Sequence, residues 1–123
     1  MQHVRLPFVT LVSACIVAAL HVHAINNNLY NTIFWFDILV HFCGGVFVAL
    51  AAATFLDTFG FRTTVPLCIA AALAAGIAWE IFELLSGFPH AVWMNNSLDI
   101  AKDLCMDVVG GVVGAWGAQY VIK

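Results

Sequence analysis

The chain has 123 residues, of which 63% are apolar and only 9% charged; its formal net charge is −3 and its mean hydropathy +1.00. Soluble domains carry about 25% charged residues, so the composition excludes a soluble domain and predicts an integral membrane protein. Four Lys and Arg residues are too few for a nucleic-acid-binding surface. The length predicts a single domain over 1–123, and the absence of a C-x-x-C pair argues against thiol–disulfide chemistry.

Four apolar runs follow one another along the chain, each near the ~20 residues that a membrane-spanning helix needs. Asparagines at 26–28 end the first run, and a polar segment at 57–62 ends the second. Pro66 lies where the first turn of the third helix tolerates it. Ser97 is a plausible N-cap of the fourth helix, with Asp99 in the first turn. We predict an all-α, polytopic bundle of four transmembrane helices, at about 6–25, 33–56, 64–87 and 97–122.

The positive charges predict the orientation of this bundle. Arg5, Arg62 and Lys123 flank one side of the predicted membrane, whereas the loops at 26–32 and 88–96 carry no Lys or Arg. Short cytoplasmic loops are enriched in these residues. We therefore expect both termini to be cytoplasmic.

The first apolar run has two interpretations. Val22-His23-Ala24 resembles a signal-peptidase site after a basic start and an apolar stretch. The alternative, which we favour, is that the run is retained as the first membrane-spanning helix.

Six of the seven acidic residues fall inside the predicted spans. A carboxylate in hydrocarbon costs roughly 2.5–3.5 kcal/mol on insertion scales, so we expect these groups to serve a purpose. If successive helices alternate in direction, all six lie in the outer leaflet. They are Asp37, Glu80, Glu83, Asp99, Asp103 and Asp107, and His41 lies one helical turn from Asp37.

Spacing places the acids of each helix on one face. Asp37 and His41 are four residues apart, Glu80 and Glu83 are three apart, and aspartates recur at 99, 103 and 107, so within each helix they are neighbours on one stripe. The simplest packing turns the three stripes inward. The sequence therefore predicts that buried anions from separate helices meet in one polar pocket.

Glycines continue two of these stripes deeper into the predicted membrane. At about 100° per residue, Gly44 follows the stripe of Asp37, and Gly110 and Gly114 follow that of the last helix. Small residues let membrane helices approach closely. We expect a tight glycine seam below the polar pocket.

The negative charge of the pocket must be neutralised, because adjacent carboxylates in a low dielectric cannot all remain ionised. Either several are protonated or cations occupy the site. Carboxylate and imidazole ligands suit a divalent ion such as Mg, Mn, Zn or Fe. His41 and Glu80 are the candidates for a general base. The predicted metal ligands are Asp37, His41, Glu80, Glu83, Asp103 and Asp107.

Each of these residues also has a purely structural interpretation. The acids and His41 could form a hydrogen-bond network, and Asp99 could be an exposed acid at a helix start. Lys102 could offset one charge or extend outward to the membrane surface. His21 and His23 face opposite sides of their helix, so at most one of them joins the pocket; we favour structural roles for both, with His21 the better candidate.

The motifs resemble those of two families of small, largely uncharacterised bacterial membrane proteins, the VanZ-like and YjdF-type families. They are Asp37-x-x-x-His41-Phe42-x-Gly44-Gly45, Trp79-Glu80-x-x-Glu83 and Asp99-x-x-x-Asp103-x-x-x-Asp107-x-x-Gly110, and they cover the last three helices. Ile38 and Asp107, where the VanZ-like pattern often has Lys and Asn, favour the YjdF-like side. The resemblance implies the bacterial cytoplasmic (inner) membrane but supplies no reaction; the VanZ type is associated with glycopeptide resistance at the cell envelope.

Three functions remain open at this point. The first is a divalent-metal-dependent hydrolase or transferase acting on a lipid or lipid-linked envelope substrate, since the pocket opens to the outer leaflet. The second is a cation or proton-coupled transporter; four helices are few for that, so it would need a homo-oligomer, and the inner halves carry almost no polar groups. The third is a non-catalytic subunit of a larger membrane complex.

Overall fold

The computed structural model describes residues 2–87 and 94–122. This part of the chain is helical, without a β-strand, in the order α1 (Gln2–Asn26), α2 (Leu29–Thr32), α3 (Phe36–Thr58), α4 (Val65–Ser86) and α5 (Asn96–Ile122). All but α2 are long and apolar enough to cross a membrane, which confirms the predicted all-α fold with four candidate spans. The orientation of the termini stays a prediction, and Lys123 and most of the 88–96 loop lie outside the described residues.

Helix α1 begins at Gln2 rather than near 6, and two further helix starts differ from the predicted ones. The second span begins at Phe36 rather than near 33, because the one-turn helix α2 precedes it and Ile33 is extended, with φ −125° and ψ 103°. The cap of α5 is Asn95 and not Ser97, since the backbone N–H of Leu98 donates to Asn95 Oδ1 at 2.9 Å. Both residue types cap helices well, so composition alone does not separate them. Pro66 lies in the first turn of α4 as predicted.

Helices α3 and α5 form the closest pair in the bundle. A Cβ on Gly45 would collide with the carbonyl oxygen of Asp107, and one on Gly110 would collide with that of Phe42. Gly114 also lies against α3, so the seam predicted for the last helix is present. On α3, however, the seam residue is Gly45 and not Gly44, which faces open space.

Beyond this seam the core consists mostly of small side chains. Ala49, Ala53, Ala115 and Ala118 are buried there with Cys68, whereas most large apolar side chains point outward. Without a hydrophobic force between helices in lipid, close contact of small residues drives their packing.

Helix α1 packs against α3 at the periphery of the bundle. Thr10 and Thr54 join the two helices by a hydrogen bond of 2.7 Å between their hydroxyls. Among the described residues, no Cα of α1 comes within 8 Å of a Cα of α4. The two helices therefore flank a gap over one face of α3.

Candidate functional site

His41 lies at the centre of the polar cluster. Its Nε2 is 3.6 Å from Asp37 Oδ1, 3.7 Å from Asp103 Oδ2 and 3.9 Å from Glu80 Oε1. Its Nδ1 lies 3.3 Å from both carboxylate oxygens of Asp107, so an Nδ1–H donates to that carboxylate. Three helices thus bring one imidazole and four carboxyl groups together, as the spacing of the acids predicted.

The cluster is almost entirely buried. His41, Glu80, Asp103 and Asp107 are only 2–6% exposed, and the side chain of Asp37 is 14% exposed. Charges in such surroundings attract each other more strongly than in water, and leaving one unpaired costs correspondingly more.

Two glycines make room for Asp107 at the deep side of the cluster. The carboxylate of Asp107 occupies the space that a side chain on Gly76 would need, and its backbone carbonyl abuts Gly45. The deepest acid is therefore seated against bare backbone on both α3 and α4. Because Asp107 contacts His41 Nδ1, its position against the two glycines also positions the imidazole.

Lys102 holds the opposite side of the cluster. Its Nζ donates to Asp99 Oδ1 at 2.8 Å and to Asp37 Oδ2 at 3.0 Å, and it lies 3.1 Å from Asp103 Oδ1. The alternative in which Lys102 extends outward is therefore wrong. Asp99, which could have been an exposed helix-start acid, is 5% exposed and ion-paired.

The two central aspartates divide their oxygens between Lys102 and His41. Asp37 offers Oδ2 to Lys102 and Oδ1 to His41, and Asp103 offers Oδ1 to Lys102 and Oδ2 to His41. Lys102 therefore fixes the rotation of both carboxylates. One oxygen of each is left facing the imidazole.

Negative charge exceeds positive charge in the cluster. Five carboxyl groups (Asp37, Glu80, Asp99, Asp103 and Asp107) face one ammonium and one imidazole. Protons or a bound cation must supply the difference, because this number of adjacent anions cannot persist in a low dielectric.

Two buried oxygens of the cluster also lack hydrogen bonds. Glu80 Oε1 has no hydrogen-bond partner, and its 3.9 Å separation from His41 Nε2 is too long for one. Asp103 Oδ1 has only the Lys102 ion pair, without hydrogen-bonding angles. Buried polar atoms are nearly always satisfied, so these two oxygens indicate room for a further proton, water or cation.

One subset of the cluster could hold a metal ion. Asp37, His41 and Asp103 each offer a ligand atom, and these three atoms lie within 4.8 Å of one another. Two ligands of a tetrahedral ion with bonds of about 2.0–2.2 Å are about 3.3–3.6 Å apart. Closure around such an ion therefore requires the ligand atoms to approach one another by up to about 1.5 Å.

The remaining predicted ligands occupy other positions. Asp107 lies on the Nδ1 side of His41, away from the subset that faces Nε2. Glu83 is partly exposed and accepts a hydrogen bond from Trp79 Nε1 at 2.9 Å. Its role as a metal ligand stays a prediction, as do the ligand roles of Glu80 and Asp107 and the catalytic roles of His41 and Glu80.

A second polar group, of which the sequence singled out His21 but not Tyr30, lies between α1 and α4. His21 Nδ1 is 2.7 Å from the Tyr30 hydroxyl, and the His21 ring meets Trp79 edge-on, with ring centroids 5.4 Å apart. Burial raises the pKa of Tyr30 above its usual range, and the nearby Asp37 and Glu83 raise it further. The Tyr30 hydroxyl therefore keeps its proton at neutral pH.

Below His21 and Trp79 the gap between α1 and α4 is a cavity of about 370 Å³. His41 and Asp107 contribute to its wall, so the cavity adjoins the acidic cluster. The rest of the lining is apolar and mostly small, and includes Ala14, Ala18, Gly44, Val48, Ala72, Ala75 and Gly76.

Comparisons with known proteins agree with this architecture. No curated protein and no solved structure matches the chain significantly. The family model described as "Predicted membrane protein (DUF2238)" matches residues 1–123. Because that match covers the whole chain, the protein belongs to the DUF2238 family of membrane proteins.

Proposed function

We propose that the cluster binds one divalent metal ion and that the protein is a membrane-embedded hydrolase or transferase acting on a lipid or lipid-linked substrate. The observation that carries the metal site is the Asp37, His41 and Asp103 triad, with its ligand atoms within 4.8 Å. The excess of carboxylates over cations supports it further.

The three proposed ligands leave a coordination position open, as catalytic metal sites do. Asp107 would act on the other ring nitrogen, because its hydrogen bond to Nδ1 directs Nε2 of His41 toward the metal. Lys102 plays a similar part for Asp37 and Asp103 by holding their outer oxygens. These contacts support a site that is preorganised before the ion arrives.

A divalent ion would polarise a phosphoryl or carbonyl oxygen of the substrate. Of the two candidate bases, Glu80 fits better, because His41 Nε2 faces the proposed metal position. Glu80 Oε1 has no hydrogen-bond partner and can accept the proton of an attacking water or hydroxyl. As the oxygen of this water or hydroxyl bonds to the phosphoryl or carbonyl centre, the bond between that centre and the leaving group breaks.

The membrane setting supports the substrate class. The cluster lies within about three turns of the ends of α3, α4 and α5, and the adjoining cavity is lined mostly by apolar side chains. The resemblance to VanZ-like and YjdF-type proteins supports a place in the bacterial cytoplasmic membrane. A transport pathway is less well supported, because it needs polar groups on both sides, and beyond Asp107 the α3–α5 contact is made by Gly and Ala.

Metal analysis of the purified protein tests the proposal. We expect about one divalent ion per chain after loading with Mn²⁺ or Zn²⁺ in mild detergent and removal of free metal. Asp37→Ala removes a ligand and is expected to abolish this binding. Asp57→Asn is the matched control, because it neutralises an acid at the far end of α3. Wild type that holds no more metal than Asp37→Ala after loading would exclude the metal site.

A further inference from the structure

We infer that the cavity between α1 and α4 binds a single hydrocarbon chain of the substrate, so that the junction between chain and headgroup lies at His41. This inference rests on the proposed function for its headgroup chemistry. The cavity itself is observed independently of the proposed metal site, and it is tested without bound metal.

The position of the cavity gives it a polar end and an apolar end. His41 and Asp107 belong to the cluster and also line the cavity, and His21 and Trp79 line it at a similar level. Deeper in the membrane the lining becomes small and apolar, with Ala14 on α1, Val48 on α3 and Ala72 on α4. This polarity matches an amphiphile with its headgroup at the cluster.

The cavity is also open to a lipid that diffuses in the membrane plane. Because no described Cα of α1 lies within 8 Å of one of α4, backbone does not close the gap between these two helices. The His21–Trp79 ring contact bridges the gap at its polar end. A hydrocarbon chain can therefore enter sideways without passing through water.

The dimensions favour one chain over two. The seven helical steps from His41 to Val48 correspond to about 10 Å along α3. A volume of about 370 Å³ is at the small end of the ligand-pocket range of roughly 300–1,000 Å³. If a methylene group takes about the space of a water molecule, ~30 Å³, the cavity holds on the order of 12 of them. A linear alkyl chain and an isoprenoid chain share this chemistry.

Two glycines supply a matched pair of variants. A Cβ on Gly44 meets no atom within 4 Å, and Gly44 lines the cavity, so Gly44→Leu fills it without striking backbone. A Cβ on Gly117 also meets nothing within 4 Å, but Gly117 is on α5 and does not line the cavity. Ala75→Leu fills the same space from α4 and serves if Gly44→Leu does not fold.

The experiment is photolabelling in phosphatidylcholine vesicles containing EDTA, with dodecyl phosphate that carries a diazirine at the end of its chain. We expect labelling of the deep cavity residues, reduced at least about tenfold by Gly44→Leu or Ala75→Leu and unchanged in Gly117→Leu. Competition by unlabelled dodecyl phosphate or farnesyl phosphate distinguishes the two kinds of chain. Labels spread evenly over lipid-facing residues, or equal labelling in Gly44→Leu and Gly117→Leu, would overturn the inference.

Because EDTA is present, this result does not depend on bound metal. Cavity labelling in a protein that holds no metal would leave the chain-binding inference standing and remove the proposed reaction. Metal binding without cavity labelling would leave the proposed metal site standing and remove the chain-binding inference.

Discussion

Lys102 and Asp37 are 65 positions apart in the chain, yet Lys102 Nζ donates to Asp37 Oδ2 at 3.0 Å. The same ammonium pairs with Asp99 and Asp103, so a single cation ties the start of α5 to the start of α3. The contact also turns the second oxygen of Asp37 toward His41 Nε2. Lys102 thus contributes to the fold and to the geometry of the proposed metal site.

Replacing Lys102 with Met is expected to destabilise the protein markedly. Removing one partner of a buried ion pair typically costs about 3–5 kcal/mol, because the remaining charges are left uncompensated. The free energy of unfolding in detergent, measured by denaturant titration, checks this. The double variant Lys102→Met/Asp99→Asn should recover part of the loss, since it removes one of the stranded carboxylates. A loss below about 1 kcal/mol, the range of exposed pairs, would contradict the prediction.

The convergence of the acids could be predicted from sequence, but their pairing could not. Spacing of three or four residues fixes which side chains share a face, and the cost of burying charge in lipid implies that the faces turn inward. The long stem of Lys102 reaches either inward or outward at similar backbone geometry. The direction of the Lys102 side chain depends on the position of Asp37 on α3.

The glycine seam illustrates a second limit. Neighbouring positions differ by about 100° around a helix, so Gly44 and Gly45 are both compatible with a stripe drawn from Asp37. Only the approach of α5, with the Asp107 carbonyl against Gly45, decides between them. For the same reason, the cavity beside Gly44 could not be predicted before the gap between α1 and α4 was known.

Gly76→Ala should disturb the site through Asp107. The added methyl group would overlap the Asp107 carboxylate, and overpacking of this kind typically costs about 1–3 kcal/mol. We expect a lower thermal unfolding midpoint together with weaker metal binding. Gly44→Ala is the control, because the same methyl group there meets nothing within 4 Å. Equal behaviour of the two variants would show that Asp107 tolerates displacement.

Asp107→Asn distinguishes an orienting role from direct ligation. If Asp107 holds His41 through Nδ1, its loss should weaken metal affinity by about 10–100-fold while leaving one ion bound at saturation. Titration calorimetry measures both quantities. Asp103→Asn changes a proposed ligand, and we expect it to bind less than one ion per chain even at saturation. If Asp107→Asn also binds less than one ion per chain at saturation, Asp107 is a direct ligand.

Tyr30 provides a test of the arrangement around His21 by titration. Burial and the nearby Asp37 and Glu83 raise the pKa of the Tyr30 hydroxyl above the usual value of about 10. In a Tyr120→Phe chain Tyr30 is the one remaining tyrosine, so tyrosinate absorbance reports on it alone. We expect a midpoint clearly above 10 in the folded protein.

The raised pKa also has a consequence for stability. The unfolded chain releases the Tyr30 proton at a lower pH than the folded chain. The stabilising contribution is therefore complete below about pH 10 and declines as the pH rises toward the folded-state pKa. Comparing Tyr120→Phe with Tyr120→Phe/Tyr30→Phe isolates this decline, since only the first chain retains the titrating hydroxyl. A tyrosinate midpoint at or below 10 would mean that Tyr30 is exposed to water and does not make the His21 contact.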